Sequence, residues 1–287
     1  MRKRARIDNM MQLQGCLTKT ATKSVKTLTG WICTCLLFVS LFSGCDKIPE
    51  NTVCSLDDLQ GKSIGVQLKT TGDIYASEIE GATVQRFNKG VDAVLALQAG
   101  EIDAVMLDDG PAKVFVEQYE GIRILEEPYA EEEYGIVVKK GNQELLDQIN
   151  EALATIQDNG TLDAIKQHWI YDGATTSMYE EQAKDSYTNG KLVVATNAEF
   201  PPYESVVEEE VVGYDIDLMR AICEELDMEL VVKNIAFDSI ISSVDRGIAD
   251  VGATGMSITE ARLQQVDFSN PYTTATQVII VREDANK

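Results

Sequence analysis

The chain has 287 residues, of which 44% are hydrophobic and 25% charged, with only 6 prolines; this composition excludes general disorder. Its length allows one large or two medium domains, each with a buried core. The formal net charge of −22 argues against nucleic acid or anionic lipid as a partner, although it does not identify a ligand.

The first 44 residues differ from the rest, since they contain seven Lys or Arg and a single acid. An apolar run at 31–42 (WICTCLLFVSLF) is short for a mature membrane-spanning helix. We therefore predict a signal peptide over 1–44, whose removal takes the net charge to −28. The sequence LFSGC at 41–45 resembles a bacterial lipoprotein lipobox, which implies that Cys45 is acylated and that 45–54 is an anchor and tether. The alternative is a plain N-terminal anchor with an incidental cysteine.

Only two of the six cysteines, Cys54 and Cys223, remain after residue 45. An extracytoplasmic compartment would allow them to pair. The position of Cys223 on the apolar face of a predicted helix is more typical of a buried free thiol.

From residue 55 the pattern alternates strands and helices, which indicates α/β structure with mostly parallel sheets. A first series ends in two amphipathic helices, and a second begins at 191 after a stretch without sustained period at 171–190, which we interpret as a linker. The strands are predicted at 63–68, 104–107, 134–138, 192–196, 229–233, 251–254 and 276–281. The helices are predicted at 73–79, 91–99, 111–118, 144–157, 162–169, 215–226 and 239–246.

Several motifs occur in order in each series. Residues 191–281 contain VVATNAEFPPYE, GYDIDLMRAI, FDSIISSV, ADVGATGMSITEARLQQVDFSNPY and TQVIIV. Residues 57–170 contain LQGKSIGVQLKTTGD, GEIDAVMLDDGPA, YGIVVKKGN and INEALATIQDNGTLDAIKQHW. They resemble the first and second halves, respectively, of the bacterial extracellular solute-binding proteins of family 3, the polar-amino-acid binding proteins of ABC importers. The resemblance implies a type II periplasmic-binding-protein fold, with two α/β lobes joined at a hinge. It also implies an extracytoplasmic, lipid-anchored protein that closes around a free L-amino acid and delivers it to an ABC transporter permease.

The two halves stand in the opposite order to the family, which suggests circular permutation. We expect one lobe over 55–133, a crossover strand and C-terminal helices over 134–170, the linker at 171–190, a second lobe over 191–281 and a tail at the hinge over 282–287. We expect the new chain ends to lie at one of the two places where the chain passes between the lobes. The chain would then pass continuously between the lobes only once, at 134–138. A permuted monomer is favoured over a domain-swapped dimer.

The resemblance supplies groups for both charges of an amino acid. Arg262, in the motif SITEAR, is expected to grip the ligand carboxylate, because its planar guanidinium can bond both oxygens. Ser257 and Gly255 add hydrogen bonds. Thr70 and Thr71, between a strand and a helix, form an anion-seeking corner for the same carboxylate. The family usually has glycine at the preceding position, which is Lys69 here.

On the other side of the ligand, Asp108 matches the family's ammonium-binding aspartate. Phe200 and Phe237 match an aromatic pair that holds the ligand side chain between two rings. Asn197 and Glu199 are expected near the end of that side chain, and the acidic Glu199 favours a basic or polar ligand. If Glu199 points to solvent, this preference disappears.

Enzymatic signals are weak, so no catalytic residue, cofactor or metal is predicted. His168 is the only histidine, and neither a Gly-rich phosphate loop nor a nucleophile elbow occurs. Asp215 and Asp217 are interpreted as acids at a helix N-terminus. Two alternatives are an enzyme resembling cyclohexadienyl dehydratases on the same scaffold and the ligand-sensing domain of a receptor.

Overall fold

The computed structural model describes residues 50–179 and 187–283. The predicted signal peptide 1–44 and the acylation site Cys45 lie outside the described residues, as do parts of the linker and of the tail. The described chain folds into two α/β lobes, which we name after Asp108 and Arg262.

The Asp108 lobe is built on a six-stranded sheet with the order β2-β1-β3-β14-β4, in which β5 also pairs with β14. Strands β1, β2 and β3 are parallel, and β14 runs antiparallel to β3. The strands are β1 (Ser63–Gln67), β2 (Thr83–Phe87), β3 (Ala104–Asp108), β4 (Ile122–Ile124), β5 (Ala130–Tyr134) and β14 (Thr273–Arg282). The helices are α1 (Thr71–Glu78), α2 (Gly90–Gln98) and α3 (Asp109–Gln118), and a 3₁₀ turn, Leu56–Leu59, precedes β1.

The Arg262 lobe is built on a five-stranded sheet with the order β11-β7-β12-β6-β13. Its strands are β6 (Val137–Lys139), β7 (Lys191–Thr196), β11 (Glu229–Asn234), β12 (Val251–Gly252) and β13 (Val266–Phe268). A small antiparallel sheet contains β8 (Glu199–Phe200), β9 (Glu204–Val207) and β10 (Glu210–Val212). The helices are α4 (Gln143–Asp158), α5 (Thr161–Lys166), α6 (Tyr214–Glu225), α7 (Ile240–Asp245) and α8 (Glu260–Leu263), with a 3₁₀ turn at Phe237–Ser239 and a π-helical turn at Gln167–Tyr171.

Local sequence explains several of these elements. All five residues of β3 are buried, as expected for a central strand covered on both faces. Helix α4 buries Ile149, Ala152, Leu153 and Ile156, whose spacing of three, one and three places them on one face. One cluster of buried apolar residues continues from the Asp108 lobe into the Arg262 lobe, so the two lobes are packed against each other.

Two adjacent chain segments cross between the lobes. One joins β5 to β6, and the other joins β13 to β14. They are hydrogen-bonded to each other, because the Tyr272 amide donates to the Tyr134 carbonyl (3.0 Å) and the Ser269 amide donates to the Ile136 carbonyl (2.9 Å). A paired two-segment connection of this kind is suited to hinge motion.

This arrangement corrects two expectations. Strand β14 pairs with β3, β4 and β5, so Thr273–Arg282 belongs to the Asp108 lobe and not to a lobe over 191–281. Both crossings are also continuous, and the chain leaves β14 inside the Asp108 lobe instead of at a crossing. The reason is that a buried apolar strand such as TQVIIV fits either sheet equally well, and its sequence does not record which neighbours it pairs with.

The described part of the linker is attached to α6 through Asp217. This buried carboxylate accepts hydrogen bonds from Trp169 Nε1 (2.7 Å), Ser177 Oγ (2.5 Å) and the Met178 amide (3.1 Å). The predicted role of Asp217 as an acid of the helix N-terminus is therefore joined by a second role, which is to hold the chain that leaves the π-helical turn.

Cys54 is exposed, Cys223 is buried, and both are free thiols. Burial raises the pKa of Cys223 to about 12, which keeps it protonated and unreactive. Within residues 50–179 and 187–283, no helix has the length and apolar character needed to cross a membrane.

Candidate functional site

A small cavity of about 10 Å³, nearly filled by its own side chains, lies between the two lobes. Four lining residues come from the Asp108 lobe and six from the Arg262 lobe, and nine of these ten are predicted binding residues. They are Gln67, Thr70, Thr71, Asp108, Asn197, Phe200, Phe237, Gly255, Ser257 and Arg262. The additional residue is Gln67, and the predicted residue that does not line the cavity is Glu199.

Arg262 reaches the cavity from the short helix α8, whose N-cap Thr259 accepts a hydrogen bond from the Arg262 amide. Its guanidinium donates to the Ser257 carbonyl (2.8 Å) and to the Lys69 carbonyl (3.0 Å). It also lies 5.6 Å from the centre of the Phe237 ring. The side chain is only 6% exposed, and burial lowers its pKa, while the charges of Glu132 and Asp108 oppose this shift. The other N–H groups of this fixed cation are available to an anionic ligand group.

The corner at the end of β1 is held in an unusual backbone conformation. Lys69 has φ +68°, in the left-handed region that glycine adopts without strain, which explains why the family usually has glycine at this position. The next residue, Thr70, caps α1, since its hydroxyl accepts from the Asp73 amide and donates to the Gln67 carbonyl. The hydroxyl of Thr70 is therefore occupied by local structure.

Asp108 lies at the end of β3 and is 4% exposed. One of its carboxylate oxygens accepts from the Tyr134 hydroxyl and the other from Gln277 Nε2 at 2.5 Å. Burial and the nearby charge of Glu132 raise the pKa of Asp108 to about 7. A cationic ligand group beside Asp108 would favour its ionised form, so the site is suited to an ammonium.

The aromatic side chains form one wall of the cavity and its support. Phe200 stacks on Tyr203 with ring centres 5.7 Å apart, and Tyr203 packs edge-on against Tyr134 at 5.2 Å. Gly255 has φ +54°, and a Cβ there would lie 2.8 Å from the Phe200 ring. A glycine is needed at this position both for its backbone conformation and for space.

Asn197 and Glu199 have different surroundings. Asn197 Oδ1 accepts from Gln67 Nε2 across the cleft (2.9 Å), and Asn197 Nδ2 donates to the Ile235 carbonyl (3.0 Å). Glu199 instead pairs with Lys89 at 2.7 Å, with both side chains partly exposed. Glu199 and Phe200 are neighbours in a strand and point to opposite sides, so only Phe200 reaches the cavity. The preference for a basic ligand therefore receives no support from Glu199.

Behind the cavity lies a second pair of acids, Glu204 and Asp215, both fully buried. Glu204 accepts from the Thr254 hydroxyl (2.8 Å), while Asp215 accepts from the Gly255 amide (2.6 Å) and the Tyr272 hydroxyl (2.8 Å). Glu204 Oε2 and Asp215 Oδ1 accept no hydrogen bond from any donor of the described structure. The two neighbouring carboxyl groups satisfy these oxygens by sharing one proton, because the charge of Asp215 disfavours ionisation of Glu204.

The proton of this pair belongs mainly to Glu204. Burial raises the pKa of Asp215 to about 7, and three hydrogen bonds to its ionised form oppose the rise. Burial and the charge of Asp215 raise the pKa of Glu204 well above its ordinary value. Since Asp215 holds the Gly255 amide and Thr254 also accepts from the Asn197 amide (3.1 Å), the pair positions the cavity wall.

Sequence reasoning missed three polar residues of the site: Gln67, Glu132 and Gln277. Glu132 is 8% exposed and lies directly behind the cavity, where it accepts hydrogen bonds from Thr71 and Ser257. A signal for it exists in the sequence AEEEY, because residues two apart in a strand share a face and Tyr134 is the buried aromatic residue of that strand.

Among the residues that the structure describes, no group of His, Cys, Asp and Glu is arranged to hold a metal ion. A cleft between two α/β lobes, lined by a cation from one lobe and a carboxylate from the other, defines a two-lobed solute-binding protein of the type II periplasmic fold. Comparison with known proteins agrees with this class. The chain belongs to the bacterial extracellular solute-binding proteins, family 3, whose family model matches residues 59–172 and 192–287.

Individual relatives match shorter stretches. The ABC transporter arginine-binding protein 1 of Escherichia coli strain K12 is 39% identical over 98 residues, which are 34% of this chain and 40% of that protein. The probable histidine-binding protein of Neisseria gonorrhoeae is 40% identical over 104 residues, 36% of this chain and 39% of that protein. A solved structure of an ancestral arginine-binding protein bound to arginine shares 44% identity over 30% of this chain and 38% of that chain, with a TM-score of 0.29. The chain thus spans about two fifths of the length of these curated relatives.

Proposed function

We propose that this protein binds a free L-amino acid between its lobes and delivers it to an ABC importer in the membrane. The observation that carries the proposal is the placement of Arg262 and Asp108 in one cavity but on different lobes. An amino acid has a carboxylate that can bind Arg262 and an ammonium that can bind Asp108. A ligand that bonds to both lobes stabilises the closed state through contacts that the open state lacks.

A basic or polar side chain is the best candidate for the rest of the ligand. The relatives named above bind arginine or are probable histidine-binding proteins. In the described structure, the single cation Arg262 of the cavity wall has two acids near it, Asp108 in the same wall and Glu132 behind it. The amide groups of Gln67 and Asn197 add neutral hydrogen-bonding capacity beside Phe200 and Phe237.

A thermal-shift screen of the purified protein against the twenty amino acids tests this proposal. A ligand that binds only the folded protein raises its melting temperature in proportion to ln(1 + [L]/Kd). We expect one or a few basic or polar amino acids to raise the melting temperature, and aspartate and glutamate to have no effect. If none of the twenty does so at millimolar concentration, amino-acid binding is not the function.

The exchanged order of the two halves is part of the same proposal. Each of the two curated relatives aligns with only 34–36% of this chain, as expected if a colinear alignment covers one half at a time. The described chain begins and ends in the same lobe, and chain ends at a domain surface are often close together.

A rearranged chain that runs from 187 to 283 and then from 55 to 172 tests the exchange. It should fold and bind the amino acid identified in the screen with unchanged affinity. Failure to fold would contradict the exchange. Sedimentation of the natural chain at nanomolar concentration should show a monomer, whereas a strict dimer would favour the domain-swapped alternative.

We further propose that Cys45 carries the lipid anchor. The basis is the sequence LFSGC after an apolar run, and stable anchoring requires more than one acyl chain. Intact mass analysis of the membrane-associated protein should show a chain that begins at Cys45 with added acyl groups. A Cys45→Ser variant should lack them, and a natural chain without added acyl groups would contradict lipidation at this residue.

A further inference from the structure

Glu132 stands on the hinge-proximal strand β5 between two other glutamates. The strand pairs with β14, with Glu132 opposite Ala275. Glu131 and Glu133 are exposed, whereas Glu132 is 8% exposed, as the alternation of a strand requires. One of three adjacent carboxylates is thus placed inside the protein beside the cavity.

The buried carboxylate of Glu132 collects hydrogen bonds from both lobes. Its Oε2 accepts from Thr71 Oγ1 (2.9 Å) in the Asp108 lobe and from Ser257 Oγ (2.7 Å) in the Arg262 lobe. It is also 3.4 Å from Gln277 Nε2. In both hydroxyl contacts the Glu132 oxygen is the acceptor, and Thr71 and Ser257 are the donors.

This arrangement sets the direction in which two cavity hydroxyls can interact. A serine or threonine hydroxyl has one hydrogen to donate, and the hydrogens of Thr71 and Ser257 are directed to Glu132. Thr71 Oγ1 also accepts from Gln277 Nε2 at 3.2 Å. The hydroxyl oxygens can therefore offer only lone pairs to a ligand, which suits a donor-rich ammonium and opposes a carboxylate.

We infer that Glu132 is a specificity-determining residue that makes the site select an α-ammonium group over an α-hydroxyl or α-keto group. It acts by fixing Thr71 and Ser257 as acceptors beside Asp108, so that only a group with several N–H donors satisfies all of them. This inference rests on the proposed amino-acid binding. It also changes the predicted role of Thr71, whose hydroxyl faces the ammonium instead of the carboxylate.

Calorimetry with two pairs of compounds tests the inference. The probes are L-arginine and L-histidine, each beside the α-hydroxy acid that has the same side chain. The wild-type protein should bind at least one amino acid and bind its hydroxy acid about 100-fold more weakly or not at all, because buried acceptors would be left without donors.

Glu132→Gln replaces an acceptor by an amide that donates to one hydroxyl, whose own hydrogen must then point into the cavity. We expect amino-acid affinity to fall about tenfold or more, with affinity for the hydroxy acid unchanged or increased. Glu133→Gln is the matched control, since it removes the same charge from an exposed position on the same strand. It should retain the wild-type ratio of affinities.

If Glu132→Gln keeps the wild-type ratio of the affinities for the amino acid and its hydroxy acid, the inference is overturned. If Glu132→Gln does not fold, Ser257→Ala provides the second variant, because it removes one of the oriented hydroxyls and should lower the same ratio. A retained ratio in Ser257→Ala would then overturn the inference. Wild-type protein that binds none of the twenty amino acids would overturn the proposed function as well, which distinguishes the two failures.

Discussion

Two of the pairs that buried acidic side chains form in the described structure have different environments. Asp108 and Glu132 lie beside the cavity and face Arg262, whereas Glu204 and Asp215 lie behind β12 and bond to each other. Asp108 and Asp215 have their pKa raised to about the same value, 7. A raised pKa alone therefore does not distinguish a binding site from an internal hydrogen-bond network.

The distinction comes from what completes each pair. The Glu204–Asp215 pair needs no further partner, since a shared proton joins the two groups and the other oxygens accept from neighbouring donors. Asp108 instead lines the cavity with Arg262 across it, and Glu132 lies directly behind the same wall. A zwitterionic ligand would balance both charges at once.

The largest change in ligand affinity is expected from Asp108→Asn. The substitution keeps the shape but removes the charge that we assign to the ligand ammonium, so affinity for the amino acid should fall about 100-fold in calorimetry. Asp109→Asn is the control, because Asp109 pairs with the exposed Lys113 at the surface. Equal losses in both variants would show that general acidity near α3, and not Asp108 itself, attracts the ligand.

Replacing Glu204 or Asp215 by its neutral amide should change the free energy of unfolding by different amounts. Glu204→Gln imitates the protonated acid, since its amide can donate to Asp215, so the free energy of unfolding should fall by about 1 kcal/mol or less. Asp215→Asn removes the charge that holds the Gly255 amide and the Tyr272 hydroxyl, and should cost about 1–3 kcal/mol. Denaturant unfolding measures both values. The opposite order would place the proton on Asp215.

Stability without ligand should decrease as the pH rises from 5 to 8. Asp108 and Asp215 have a folded-state pKa of about 7, against ordinary values near 3.8, so the folded protein binds more protons than the unfolded chain in this window. The unfolding free energy therefore falls with pH. Ligand affinity should rise over the same range, because the ammonium favours ionised Asp108. Melting curves and calorimetry at pH 5, 6.5 and 8 check the two trends. A melting temperature that increases with pH would contradict the buried, protonated carboxyl groups.

Some of the site was accessible to sequence reasoning because motif residues follow strand ends. Asp108 ends β3, Thr70 and Thr71 follow β1, and the carboxyl ends of parallel strands meet at the cleft. The strand and helix pattern likewise gave the α/β class, with boundaries shifted by a few residues. The single strand expected at 134–138 is divided by the crossing into β5 and β6.

Other parts of the site depend on tertiary contacts that a sequence pattern does not contain. Glu199 was expected near the ligand, but its partner Lys89 lies on the other lobe. Glu132 resembles its exposed neighbours in composition, and only its pairing with β14 directs it to the cavity. The lobe of β14 was misassigned because its neighbours in the sheet are distant in sequence.

The smallest effect is expected from Glu199→Gln. Its ion pair with Lys89 is partly exposed, and such pairs contribute little because solvent screens the two charges. Amino-acid affinity should change by about threefold or less, and Lys89→Gln should have the same small effect. A loss of tenfold or more in Glu199→Gln alone would show that Glu199 contacts the ligand.

The central claim is that one amino acid is held between a cation on one lobe and an anion on the other. Calorimetry of Arg262→Ala with the amino acid identified in the thermal-shift screen tests it most directly. We predict a loss of at least about 100-fold in affinity, with the folded state retained in melting curves, because Asp108 would remain without its counterpart across the cavity. An unchanged affinity would contradict the account.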